Sequence, residues 1–130
     1  MNVDRGPRLA RVCAPLALMG LIFYLSAQES VGPQLPAFTR VIAHFSEYAL
    51  LTALWIWALA PALGRRALFA AAAISVLYAI SDEYHQSFVP GRDSDPFDVL
   101  VDACGITAAV AAAIAVSARR GASRRRASSR

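Results

Sequence analysis

Four stretches of the chain, residues 9–27, 41–63, 67–88 and 97–118, are dominated by alanine, valine, leucine and isoleucine. A helix needs roughly 17–25 residues at about 1.5 Å each to cross a hydrocarbon core about 30 Å thick, and each stretch meets that length. Composition points the same way: 57% of residues are hydrophobic and 17% charged, against about 45–50% and about 25% in ordinary globular chains. A soluble bundle is disfavoured on area, because helices apolar on every side cannot all be buried in a domain of 130 residues. The expected fold class is therefore all-α, a polytopic membrane protein with four transmembrane helices in a compact bundle. The third stretch is irregular: only residues 67–80 precede its acids, about 21 Å of helix. Either the bilayer thins there or Asp82 and Glu83 dip into the helix.

All 13 basic residues are arginine. Arg5, Arg8 and Arg11 precede or open the first stretch, Arg65 and Arg66 separate the second from the third, and Arg119, Arg120, Arg124, Arg125, Arg126 and Arg130 follow the fourth. Only Arg40 and Arg92 remain for the other two connections. Cytoplasmic loops carry the excess of positive charge, so both termini are expected in the cytoplasm, with connections 28–40 and 83–96 facing outward. The organisation is a transmembrane domain over residues 1–118 and a basic, serine-rich tail over 119–130, "RRGASRRRASSR". Without apolar periodicity the tail is expected to be disordered, and each arginine near an anionic lipid surface contributes about 1 kcal/mol. The net charge of +4 is thus accounted for by topology, and with no aromatic platform a nucleic-acid partner is not expected. Residues 1–27 also resemble a signal peptide in outline, but the apolar span is long and "LSAQES" is a poor cleavage site. Cys13 and Cys104 both fall in apolar stretches and imply neither a disulfide framework nor a metal motif.

The acids are concentrated in "SDEYHQSFVPGRDSDPFDVLVDACG", residues 81–105. On an antiparallel bundle the polar residues of three helices fall at one depth. His44 and Tyr48 share a face at i and i+4, with Glu47 beside them; Asp82 and Gln86 share another, next to Glu83; Asp98, Asp102 and Gly105 follow each other on the fourth helix. Asp95 and Pro96 supply the start chemistry of that helix, and "VPGR" predicts a turn that brings Arg92 back over the helix ends. A carboxylate facing acyl chains costs roughly 2.5–3.5 kcal/mol, so Glu47, Asp98 and Asp102 should point into the bundle or to water. With Asp82 and Glu83 these carboxylates outnumber the cations in reach, Arg92 with His44 or His85. The surplus must be relieved by protonation, by a bound cation such as a divalent metal ion, or by a ligand's positive group. Of the remaining residues, Trp55 and Trp57 are expected as lipid or core contacts, Tyr24 and Tyr78 as an aromatic belt, and His85 as exposed. Small residues in "ALFAAAAISV" and around Gly105 suit close helix approach, in a bundle or a homo-oligomer.

The segments "HFSEYALL" (44–51) and "DEYHQSFVPGRDSDPFDVLVDACG" (82–105), with "YLSAQESVGPQLP" (24–36) upstream, resemble the VanZ-like family of small bacterial integral membrane proteins. The likeness covers about residues 23–105 and follows the family's order of Asp-Glu, Gln, Pro-Gly-Arg, Asp-Val-Leu and Gly. Two positions depart from it: Asp102 stands where the family often has Asn, and Thr39-Arg40 where an Asp-Lys pair is common. The resemblance implies a multi-pass protein of the bacterial cytoplasmic membrane with a part in envelope physiology. Its named member is associated with resistance to the glycopeptide teicoplanin, a role the pattern does not transfer to this chain. Carried over residue by residue, the expected ligand-binding set is His44, Tyr48, Asp82, Glu83, Gln86, Arg92, Asp98 and Asp102, with His44, Asp82, Glu83 and Asp98 as candidates for acid and base chemistry.

Three functional readings follow. The outward cluster could bind or modify an envelope lipid or cell-wall precursor, Arg92 offering a planar fork to a phosphate or carboxylate and the acids with His44 supplying general acid and base or holding a divalent cation. It could instead pin helices and loop together without a ligand. Or intramembrane acids with His44 could relay protons in a small coupled transporter, although they lie near one surface and no inverted repeat is visible.

Overall fold

The computed structural model describes residues 5–29, 36–92 and 94–128; residues 30–35 of the connection between the first two apolar stretches, Asp93 and Arg130 lie outside the described residues, as do the side chains of Arg5 and Arg8. It consists of α1 (Arg5–Ser26), α2 (Ala37–Leu63), α3 (Arg66–Gln86) and α4 (Pro96–Ser128), with no strand among the described residues. Helices α2, α3 and α4 are each long and apolar enough to span a membrane, and Ala10–Ser26 of α1 forms a shorter apolar helix. The all-helical membrane bundle expected from the apolar stretches is the fold observed.

Helix α2 is central and packs against each of the other three. Its buried residues Tyr48, Leu51, Thr52, Trp55 and Ala58 repeat at three and four positions and so form one stripe. Helix α3 answers with small residues at every fourth position, Ala67, Ala71, Ser75 and Ala79, and the same stripe continues into Asp82, Glu83 and Gln86. Small side chains let two backbones approach, and midway along the seam the Thr52 hydroxyl donates to Ser75 Oγ at 2.9 Å. On α4 the buried stripe is Asp98, Val101, Asp102, Gly105 and Ile106. The outer surface carries Leu16, Leu21, Phe23, Phe38, Phe69, Leu77, Phe97 and Leu100, as a lipid-facing surface requires.

The contact of α4 with α2 depends on Gly105. A Cβ there would collide with the carbonyl oxygen of Phe45 and stand 3.1 Å from the amide nitrogen of Ala49. The small residue serves packing within the chain, just under one turn from Asp102.

Two connections follow local rules. Arg92 N–H bonds to the carbonyl of Val89 at 3.2 Å, and Gly91 has φ 74. Pro90 and Gly91 therefore occupy the central positions of a type II turn, the second of which requires positive φ. Asp95 Oδ1 accepts the amide of Phe97 at 2.9 Å and opens α4. At the far end of α4 the expectation of a disordered tail is corrected: the helix continues to Ser128. Alanine and arginine are strong helix formers, and a preformed helix extends more readily than an isolated segment nucleates one.

The tight crossing predicts that Gly105→Ala lowers stability by about 1–3 kcal/mol, with Gly105→Val worse, read as a fall in the thermal midpoint of the detergent-solubilised protein. An unchanged midpoint in Gly105→Val would contradict the observed packing.

Candidate functional site

The buried stripes of α2, α3 and α4 all become polar at the same end, where connections α1–α2 and α3–α4 lie. Asp98 and Asp102 are each 1% exposed, Asp82 5%, Glu83 7% and Gln86 6%. Acids within the third apolar stretch are thus accommodated inside the helix and turned to the seam, and α3 remains helical through Gln86. Of the acids expected to avoid lipid, Asp98 and Asp102 are buried and Glu47 is half-buried.

His44 is the hub. Its Nδ1 lies 3.0 Å from Asp102 Oδ1 and its Nε2 3.9 Å from Asp98 Oδ2. One turn of α4 separates the two carboxylates, so a single imidazole spans the interval between them. A ring bridging two carboxylates can hold or pass a proton and is oriented by the bonds it makes. Arg40, one turn before His44 on α2, places Nε 3.5 Å from Asp98 Oδ2 and a terminal nitrogen 4.0 Å from Asp95 Oδ2. Its side chain is 37% exposed, so it stands at the rim.

A second group ties α1 to α3. The Ser26 hydroxyl donates to Asp82 Oδ1 at 2.7 Å, and Gln86 Nε2 donates to Asp82 Oδ2 at 3.1 Å, filling both carboxylate oxygens. Nearby, Tyr78 Oη donates to the carbonyl of Met19 at 2.5 Å. This tyrosine is a half-buried α1–α3 bridge instead of a member of an interfacial belt, whereas Tyr24 is 61% exposed.

Several buried polar atoms here have no hydrogen-bond partner in the protein: Tyr48 Oη, Glu83 Oε1, Asp98 Oδ1 and Arg40 Nε among them. Leaving such a group unsatisfied costs about 1–3 kcal/mol, more when charged. His85 Nδ1 is also buried and unpartnered, and its ring stacks on Phe23 at 4.4 Å between centroids. The expectation that His85 is exposed is corrected; it is half-buried in the last turn of α3, held by an aromatic neighbour on α1.

Arg92 is the principal departure. Its Nε donates to the carbonyl of Gln28 at 3.1 Å and its terminal nitrogen to that of Leu25. The last carbonyls of a helix lack partners within it, so this guanidinium caps α1 and fastens the α3–α4 connection across it. No carboxylate among the described residues lies within ion-pair distance of it. The cation beside Asp98 is Arg40 instead. Sequence reasoning missed Arg40 as a site residue although its i, i+4 relation to His44 offered a signal; Ser26 had none, being joined to Asp82 only by the tertiary fold. As to a metal, no group of three His, Cys, Asp or Glu side chains among the described residues is arranged to hold one. Asp98 and Asp102 are engaged by His44 and Arg40, and Asp82 by Ser26 and Gln86.

Of the two tryptophans, Trp55 is buried in the core and Trp57 lies under the guanidinium of Arg11, 5.1 Å from the ring centroid. That contact fixes α1 to α2 at the end away from the polar cluster.

Apolar helices and a buried polar seam at one end define a small integral membrane protein of the multi-pass helical class. The family model described as VanZ/LLP1 matches residues 12–117, and the chain belongs to this family. No curated protein and no solved structure matches it significantly.

A double-mutant cycle on His44→Ala and Asp102→Asn should give a coupling of about 1–2 kcal/mol, above the average for polar contacts between membrane helices because one partner is a carboxylate. Thermal unfolding in detergent measures it; strict additivity would mean that the two side chains do not interact.

Proposed function

We propose that the polar end of the bundle is a binding site for the head group of an envelope lipid or cell-wall precursor, facing the outer side of the bacterial cytoplasmic membrane. The observation that carries this reading is the set of buried oxygens without protein partners, Tyr48 Oη, Glu83 Oε1 and Asp98 Oδ1, gathered from three helices. Hydrocarbon satisfies no polar group, so such atoms call for hydroxyl, amine or water donors from outside the chain. Arg40 at the rim offers guanidinium donors to a phosphate or carboxylate, and the acids behind it accept from the ligand's donors. His44, held between Asp98 and Asp102, is the residue suited to proton transfer should the ligand be modified. Outward placement is supported by the arginines: among the described positions only Arg40 and Arg92 lie at the site end.

The competing reading, a cluster that only pins helices, draws on the filled bonds of Asp82 and the capping role of Arg92. Lipid analysis separates the two. The full chain is excised from its native membrane in polymer discs and the retained lipids are compared with those of Asp98→Asn/Asp102→Asn. Loss of a retained species with a midpoint shift under about 4 °C, near 1 kcal/mol, supports binding. Identical lipids with a much lower midpoint support pinning and sink the proposal.

For orientation, a cysteine at exposed Ser87, in a chain with Cys13 and Cys104 replaced by alanine, should react with an impermeant maleimide added to intact cells. Labelling only after the membrane is opened would reverse the topology.

A further inference from the structure

At the opposite end of the bundle the structure holds a groove of about 540 Å³ lined by Ile56 and Ala60 of α2, Gly64 and Arg65 of the α2–α3 turn, Leu68 of α3, and Ala113, Ile114, Ser117 and Ala118 of α4. We infer that this groove binds an anionic phospholipid, one acyl chain lying between α2 and α4 and the phosphate resting on Arg65.

The walls select an apolar occupant. They are alanine, isoleucine and leucine, and the hydroxyl of Ser117 is turned back onto its own helix, donating to the carbonyl of Ala113 at 2.9 Å. Its one proton is thereby already committed. The volume falls in the range of small-molecule sites, about 300–1,000 Å³. On a helix surface bathed by lipid such a groove is filled by what surrounds it, and acyl chains have the matching shape and polarity.

Charge selects the head group. Arg65 stands in the groove wall and Arg66 follows it, both exposed; Arg119 and Arg120, also exposed, come directly after Ala118. None of these four is ion-paired among the described residues. Every described acid belongs to the opposite half: Ala60 lies 16 positions beyond His44 on α2, about 24 Å along the axis. A basic pocket between transmembrane helices favours a head group carrying net negative charge over a zwitterionic one. Gly64, with φ 54, ends α2 and sharpens the turn that brings Arg65 against the groove. The site is independent of the polar end and of which side of the membrane that end faces.

Native mass spectrometry of the full chain released from detergent tests the inference, with phosphatidylglycerol and phosphatidylcholine of identical acyl chains as probes. Phosphatidylglycerol should bind at least about fivefold more tightly, which is about 1 kcal/mol. Arg65→Gln/Arg66→Gln, at exposed positions, should cut that preference below about twofold. Ala113→Phe, which fills the groove, should weaken phosphatidylglycerol severalfold; if that variant fails to fold, the arginine pair alone decides. Equal binding of the two lipids by the unaltered chain would overturn the inference. So would a preference that survives Arg65→Gln/Arg66→Gln but disappears in Arg124→Gln/Arg125→Gln/Arg126→Gln, since selection would then belong to the C-terminal extension of α4.

Discussion

Carboxylates in a lipid-embedded bundle must be turned away from acyl chains, and this requirement organises the polar half of the structure. Asp98 and Asp102 occupy positions of the α4 stripe that elsewhere hold Val101, Gly105 and Ile106. They can do so only because Gly105 lets α4 approach the backbone of α2 closely enough for His44 to reach both acids. The same close approach excludes lipid from the seam. Packing and polarity are therefore one constraint here: a larger residue at 105 would separate the helices and uncover the acids together.

The two ends of the bundle divide the chemistry of the chain. At one end buried acids meet His44 and a single rim guanidinium, with several polar atoms left unsatisfied by the protein. At the other, arginines surround an apolar groove with no described acid nearby. Between them lies a small-residue seam crossed by the hydrogen bond from Thr52 to Ser75, which satisfies both hydroxyls within the protein. Such separation of charge along the bundle axis suits a protein whose two surfaces meet different head groups and solvent layers.

Arginine at the polar end illustrates how a motif can be legible while its role is not. "VPGR" was readable as a turn because Pro and Gly fix backbone dihedrals locally, and the turn forms as expected. The destination of the Arg92 side chain depends on where α1 ends, which local dihedrals do not encode. It meets the carbonyls of Leu25 and Gln28 at the end of α1, and its place beside Asp98 is taken by Arg40. His85 shows the same limit: its position at the end of α3 was plain, its burial against Phe23 was not.

By itself the sequence determined the helical membrane class, the approximate limits of α2 and α3, the turn at Pro90–Gly91 and the level at which the acids gather. All of these follow from hydropathy over one helix length, backbone restrictions of Pro and Gly, and the 1.5 Å rise per residue. Only the tertiary structure decided which acid pairs with which cation, that Ser26 of α1 reaches Asp82, and that Arg92 serves as a cap. Those outcomes rest on the rotation of each helix about its axis and on contacts between residues tens of positions apart, which packing of the small-residue seams sets.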